Sequence, residues 1–225
     1  MLHCFNDSAS CKLRKLNLPD STDPLLITHS SLPITSKSEI RKQVLARRDQ
    51  LGVAERRSLS ERITKRLLAL DSYSSASCVM AYASFGSEFE TGDFIADALA
   101  RGKTLVLPRV ERDGRALQLH RIRDPARQLV AGVWGIRQPR ADLCPLVPAS
   151  QLDFVLVPGV AFTRHCERLG YGGGYYDGFI RALIRRPPLV AAAFSVQILP
   201  ALPVSERDQY VDCVVTENAE YRRNG

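Results

Sequence analysis

Apolar residues recur at two spacings along this chain, and the alternation between them predicts its elements. Ile40, Val44, Leu45 and Leu51 follow one another at helical spacing, and so do Leu59, Ile63, Leu67 and Leu70. Ser36-x-x-Glu39 and Ser58-x-x-Glu61 each have the form of a capping box, so a helix is expected to start at each. Residues 78–83, 103–110, 154–157 and 189–194 are short apolar runs, rich in β-branched side chains and without polar alternation. They predict strands covered on both faces. Thr91 is expected to cap a helix over 93–101, with Gly102 at its C′ position. This strand–helix–strand order implies a parallel sheet. Asp113-Gly114 and the alternating run 116–122 add an antiparallel hairpin, and 211–215 supplies a last strand. The expected fold is α/β: a single three-layer domain with a mixed, mainly parallel sheet and helices on both faces. A ligand of such a sheet sits beyond the carboxyl ends of its strands.

Composition sharpens the boundaries. Residues 1–35 are rich in Ser, Thr, Pro and Asp and carry no sustained period, so they are expected to form a disordered extension before a domain at 36–225. They also lack the apolar core of a signal peptide. Residues 123–152 form a long Pro- and Arg-rich connection, in which Trp134 is expected to be a packing residue. No run approaches membrane-spanning length, so no membrane partner is expected. The six cysteines are scattered without any C-x-x-C, which suits reduced thiols in the cytoplasm better than disulfides or zinc. The net charge is +7, and residues 1–66 hold 13 Lys/Arg against 7 Asp/Glu. Nucleic acid is one explanation. However, no aromatic residues interleave with these cations, and solvated helix faces with an anionic small substrate are expected instead.

The candidate chemistry lies in DFVLVPGVAFTRHCERLGYGGGYYD, residues 153–177. A strand ends at Pro158-Gly159. The glycines of Arg168-Leu169-Gly170-Tyr171-Gly172-Gly173-Gly174-Tyr175-Tyr176-Asp177 then precede Phe179, Ile180, Leu183 and Ile184 at helical spacing. A backbone without Cβ atoms, at a helix start, lets an anion approach free N–H groups. Arg168 adds positive charge, and Asp177 adds a carboxylate for a cation. The loop is neither a G-x-x-x-x-G-K-[ST] loop nor a G-x-G-x-x-G fingerprint, yet it suits a Mg²⁺-nucleotide. Lys37 and Arg41, four residues apart at a helix start, can reach phosphates from the same direction. Glu88 stands on a loop after a strand.

PGVAF followed by RLGYGGGYYD resembles the signature of the 5-formyltetrahydrofolate cyclo-ligase family, and further blocks agree in order. Lys37-x-x-Ile40-Arg41 is similar to its opening block, and Glu88-Phe89-Glu90-Thr91 to its folate block. Residues 102–110 resemble its G-K strand, and Gly135-Ile136-Arg137-Gln138-Pro139 its G-I-x-E-P block. The resemblance implies ATP-dependent closure of 5-formyltetrahydrofolate to 5,10-methenyltetrahydrofolate. It implies ATP contacts from Lys37, Arg41, Arg168, Leu169, Gly170, Tyr171, Gly172, Gly173, Gly174, Tyr175 and Tyr176, with catalytic roles for Arg168 and Tyr175. Folate contacts would come from Glu88, Tyr171, Gly172, Gly173, Gly174 and Tyr175, and Mg²⁺ ligands from Asp177 and Asp208. The chain is expected to act as a monomer. It departs from the family at Thr163 and Cys166, where an acid and a glycine are usual, and at Gln138, where a Glu is usual. An alternative is therefore a catalytically silent folate- or nucleotide-binding module of the same fold.

Overall fold

Helix α1 (Lys37–Asp49) begins where the capping pattern puts it, with the Glu39 N–H donating to the Ser36 hydroxyl. The computed structural model describes residues 36–223, so the expected extension lies outside the described residues. Helix α2 (Val53–Leu68) differs from expectation. It starts at Gly52, well before Ser58, because residues 53–57 contain no breaker and Glu55 suits the first turn. Ser58 is left on the exposed face, and the Ser60 hydroxyl instead accepts from the Glu90 N–H. A short α3 (Asp71–Ser74) leads into β1 (Cys78–Met80), which is shorter than the apolar run although the Ala81 N–H still donates to the Val106 carbonyl. Helix α4 (Gly92–Ala100) follows, with Gly102 at a φ of +71° as its C′ position requires. Thr91 does not cap it: its hydroxyl accepts from the Ser84 N–H instead.

Strands β2 (Thr104–Glu111) and β3 (Ala116–Ile122) form the expected hairpin. The long connection is not bare. It holds α5 (Pro125–Gln128) and an antiparallel pair, β4 (Leu129–Ala131) and β5 (Arg137–Pro139). After β6 (Phe154–Leu156) comes a small hairpin of β7 (Ala161–Thr163) and β8 (Arg168–Leu169), which the apolar pattern did not reveal. Helix α6 (Tyr175–Arg181), β9 (Leu189–Ala192), β10 (Ile198–Leu199), β11 (Cys213–Val215) and β12 (Glu220–Arg222) complete the chain. The main sheet has seven strands in the order β12-β11-β9-β6-β1-β2-β3, parallel except at its two edges.

The pleat sorts alternate residues into two layers. Val79, Leu105, Phe154, Leu156, Val190 and Val215 face α2, α3 and α4, where Tyr73, Phe94 and Phe154 pack with ring centroids 4.9–6.0 Å apart. Met80, Val106, Val155, Ala191 and Val214 face Ile180 of α6 and Phe162 of the small hairpin. Helix α1 stands apart from both layers: Ile40 and Val44 pack on Val160, Ala161, Leu169 and Leu202. That third contact carries α1 to the site described below.

The revised start of α2 has a measurable consequence. Ser36→Ala is expected to lower stability by about 1 kcal/mol through loss of the cap. Ser58→Ala is expected to be neutral or slightly stabilising, because Ala is the better helix former in an exposed interior position. Chemical denaturation of both variants checks this, and a Ser58 loss equal to that at Ser36 would contradict the helix start.

Candidate functional site

Strand order reverses between β6 and β1, since β2 lies on one side of β1 and β9 beyond β6 on the other. A cavity of about 490 Å³ opens beyond this pair, lined by Tyr82 and Ala83 after β1, Pro158 after β6, and the glycine loop. This is where an open α/β sheet takes its ligand.

Arg168 organises the loop. It is buried, its Nη1 donates to the Pro158 carbonyl at 3.2 Å, and its Nη2 meets Asp177 Oδ1 at 2.5 Å. A Cβ on Gly170 would lie 2.8 Å from Arg168 Nη1, so a larger residue there would displace the guanidinium from its bond to the Pro158 carbonyl. Gly172 and Gly174 hold φ values of +103° and +74°, which free the turn into α6. That helix is only seven residues long and stops before Leu183, leaving Ile184 fully exposed, and Pro187-Pro188 prevents any helix from running on into β9. Its dipole is accordingly small, and the anion-binding capacity of the loop rests on free N–H groups and arginines.

Helix α1 supplies those cations. Arg41 Nε donates to the Gly170 carbonyl at 2.7 Å, with its guanidinium against Gly172. Lys37 pairs with Asp208 and reaches the Ser205 hydroxyl at 3.4 Å. The Gln209 N–H donates to Asp177 Oδ1 at 3.2 Å, which draws the Asp208 loop to the glycine loop. The two expected metal ligands are thus neighbours, each with its own cation rather than facing the other as a repelling pair. Burial pushes the Asp208 carboxyl up, but Lys37 with the N–H and hydroxyl of Ser205 outweighs this and holds it below the usual range.

The other wall carries Glu88, which is buried with one oxygen accepting from the Phe85 N–H at 2.9 Å and the other from the Tyr171 hydroxyl at 2.5 Å. Burial raises its carboxyl above the ordinary glutamate value despite these bonds and the nearby Arg48. Arg48 was not singled out from sequence. It continues the buried Ile40–Val44 stripe by one more turn, and a cation on an apolar stripe was the available signal. Trp134 is not a packing residue. It is 59 % exposed at the cavity rim, 6.0 Å from the Tyr175 ring, with an unusual φ of 58°. Such strain in a bulky residue gathers at functional sites. Lys103 serves the fold, donating to the carbonyls of Tyr73, Ser74 and Ala76.

The departures at Thr163 and Cys166 sit in the small hairpin, away from the cavity wall. Thr163 Oγ1 accepts from the N–H groups of His165 and Glu167, and Cys166 takes a φ of +64° where a glycine would be unstrained. Gln138 does line the cavity, but its side chain also accepts from the Val110 N–H and so ties β5 to β2. Two buried polar atoms in the cavity residues, Arg168 Nε and the Tyr176 hydroxyl, have no partner among the described residues. Buried polar atoms of this kind are usually paired, so both are polar groups left unsatisfied next to the cavity.

Fold and site together define an open α/β enzyme with one cavity at the carboxyl edge of its sheet, lined by the glycine loop and Arg168 on one side and by the buried Glu88 on the other. Residues 33–217 match the 5-formyltetrahydrofolate cyclo-ligase family, and the chain belongs to it. It is 28% identical to mouse (Mus musculus) 5-formyltetrahydrofolate cyclo-ligase over 193 residues, 82% of this chain and 95% of the mouse protein. The Arabidopsis thaliana mitochondrial 5-formyltetrahydrofolate cyclo-ligase is 30% identical over 206 residues, 80% of this chain and 72% of that one. The solved structure of Aquifex aeolicus 5,10-methenyltetrahydrofolate synthetase superposes with a TM-score of 0.74 at 36% identity, covering 84% of this chain and 94% of that one.

If the Tyr176 hydroxyl is held for a ligand, Tyr176→Phe should leave the thermal stability of the free protein unchanged or raised. A buried hydroxyl without a partner costs about 1–3 kcal/mol. A lower melting temperature would give that hydroxyl a structural role.

Proposed function

We propose that this chain closes 5-formyltetrahydrofolate to 5,10-methenyltetrahydrofolate with ATP as co-substrate, releasing ADP and phosphate. The observation that carries the reading is the shared cavity, with the buried Glu88 carboxylate on one wall and Arg168, Tyr175 and the glycine loop on the other. Glu88 would accept from the N–H donors of the pterin, between aromatic walls that include Phe85 and Trp134. Lys37, Arg41, Arg168 and the N–H groups of residues 169–176 would surround the phosphates. Tyr171, Gly172, Gly173, Gly174 and Tyr175 would border both ligands.

The formyl oxygen is a poor leaving group until it is phosphorylated. It attacks the γ-phosphorus, and ADP departs. N10 then adds to the activated carbon and loses its proton, and the C–O bond breaks with its electron pair leaving on phosphate. Such transfer is driven by positioning and charge neutralisation, so the lack of a Ser–His–Asp or Cys–His arrangement in this reading is expected. Arg168 and Tyr175, at the loop between the two ligands, would carry the catalytic roles.

Magnesium fits the residues present. Asp177 Oδ2 and Asp208 Oδ1 accept no hydrogen bond from the described residues, while the other oxygen of each is held by Arg168 and Gln209 or by Lys37 and Ser205. Two such oxygens with phosphates and water make the incomplete protein shell Mg²⁺ prefers. Bound there, it would supply positive charge against the transferred phosphoryl group.

Residues 36–225 would be the enzyme domain and 1–35 an extension before it, in keeping with a family match that begins at residue 33. The catalytic unit would be a monomer. The described cysteines are free and buried, which suits the cytoplasm. No helix among the described residues is long and apolar enough to cross a membrane. Most arginines of α2 are engaged within the chain: Arg57 pairs with Glu61, Glu90 and Asp93, Arg62 reaches Glu217 and Asn218, and Arg66 reaches Asn218. That favours a small anionic substrate over nucleic acid.

Incubation with 5-formyltetrahydrofolate and Mg-ATP is expected to yield methenyl product, followed by its absorbance, in step with ADP. Failure to form methenyl product would return the chain to a silent binding module. Asp208→Asn is expected to raise the magnesium requirement of turnover, and an unchanged magnesium dependence would leave Asp208 as the partner of Lys37 alone.

A further inference from the structure

Lys37, Arg41 and Arg48 lie four and eleven residues along α1, and at about 100° per residue they share one helix face. The first two meet the Asp208 loop and the glycine loop. The third is at the opposite end of the helix, buried to 4 % exposure beside Glu88. Its Nε donates to the Ser87 hydroxyl at 2.9 Å, and its Nη1 donates to the Tyr171 hydroxyl at 2.9 Å. The Ser87 hydroxyl in turn donates to the Asp49 carboxylate, and the Tyr171 hydroxyl donates to Glu88 at 2.5 Å. The Arg48 guanidinium also lies 5.9 Å from the Tyr171 ring centroid. A half-exposed tyrosine of a glycine loop is thus held at its hydroxyl by a cation on one side and a carboxylate on the other.

We propose that Arg48 is a positioning residue for folate: through Tyr171 it holds Glu88 in place as a carboxylate able to accept the N–H donors of the pterin. The proposal rests on the folate assignment of Glu88. A guanidinium keeps its charge at any working pH, so it is suited to this task where a lysine would itself titrate on burial. Its fork also reaches Ser87 and Tyr171 together, which a single ammonium cannot do in the same geometry.

The groups facing Glu88 come from four elements: Arg48 on α1, Tyr171 on the loop, Tyr82 after β1 and Tyr176 on α6. The three phenols are pushed above the usual tyrosine range, first by burial and then by the Glu88 charge, so they remain protonated and carry no charge of their own. Arg48 is the cation of the set acting on Glu88. Burial raises the Glu88 carboxyl, while Tyr171, Phe85 and Arg48 lower it. Removing Arg48 therefore lets the carboxyl rise further, and the accepting form is lost at a higher pH than in the wild type.

The single tryptophan of the chain, Trp134, stands at the rim of the same cavity, so its fluorescence reads folate binding without turnover. Titration with 5-formyltetrahydrofolate from pH 5 to 8 is expected to show a Kd that weakens on the acid side. In Arg48→Met the weakening should begin at higher pH and reach about tenfold at the acid end, the scale of a lost charge-assisted bond. Affinity should recover toward wild type as pH rises. Tyr171→Phe keeps the ring on a half-exposed loop and folds without needing Arg48 replaced. It should move the limb in the same direction. The double variant should move it by less than the sum, since the two act through one path. Arg48→Lys should restore part of the shift. Wild-type quenching with pH profiles unmoved in both single variants overturns the role of Arg48 and leaves the folate site standing. Absence of wild-type quenching overturns the folate assignment, and the role of Arg48 with it.

Discussion

Arg48 and Arg168 are both buried, and a guanidinium cannot shed its charge to relieve that burial. Each must be met by acceptors or polar partners from other parts of the chain. Arg168 takes the Pro158 carbonyl at the end of β6 and the Asp177 carboxylate at the start of α6. Arg48 takes Ser87 from the loop after β1 and Tyr171 from the glycine loop. Between them these two side chains tie α1, the loops after β1 and β6, and the glycine loop around one cavity. Breaking either set by removing one partner would leave a buried charge uncompensated, which is why such pairs are costly to disturb. The glycines help: without a Cβ at Gly170 the loop crosses close to Arg168 and leaves its guanidinium in place.

Much of the sheet could be read from the sequence because its strands are covered on both faces. Residues 154–157 and 189–194 show no alternation, and both entered the parallel core as expected. The elements that escaped are those whose apolar content is small. Strands β7 and β8 hold a few residues each and lie where glycine and charge dominate the string. Strand β12 is an edge strand of Glu-Tyr-Arg with no apolar run. The start of α2 was misplaced because Ser58-x-x-Glu61 has the form of a cap, yet nothing before it stops the helix. Local hydrogen-bonding preference lost there to propagation of an already formed turn.

The site was legible where chemistry and spacing coincide. Glu88, Arg168, Asp177 and the glycines all line the cavity. Lys37, Arg41 and Asp208 join them through α1 and the Gln209 N–H rather than through the cavity wall itself. Arg48 was hidden because a helix rich in Arg and Lys reads as a solvated face, and only its place on the Ile40–Val44 stripe distinguishes it. Trp134 was hidden for a different reason. Its role follows from the β4–β5 pair, which turns the ring outward to the cavity, and that pair has no strong period of its own. In the sequence the departures at Thr163 and Cys166 stand close before the glycine loop. In three dimensions they fall in a hairpin turn whose N–H groups Thr163 still satisfies.

The central claim is that one cavity holds the formyl group against the phosphate, so that the formyl oxygen itself receives the phosphoryl group. Its fate can be followed directly. With ¹⁸O in the formyl group of 5-formyltetrahydrofolate and unlabelled Mg-ATP in ordinary water, the account predicts that the released phosphate carries the label, seen as the isotope shift in its ³¹P spectrum. Unlabelled phosphate, formed alongside methenyl product, would mean that ATP is hydrolysed by water and would contradict it.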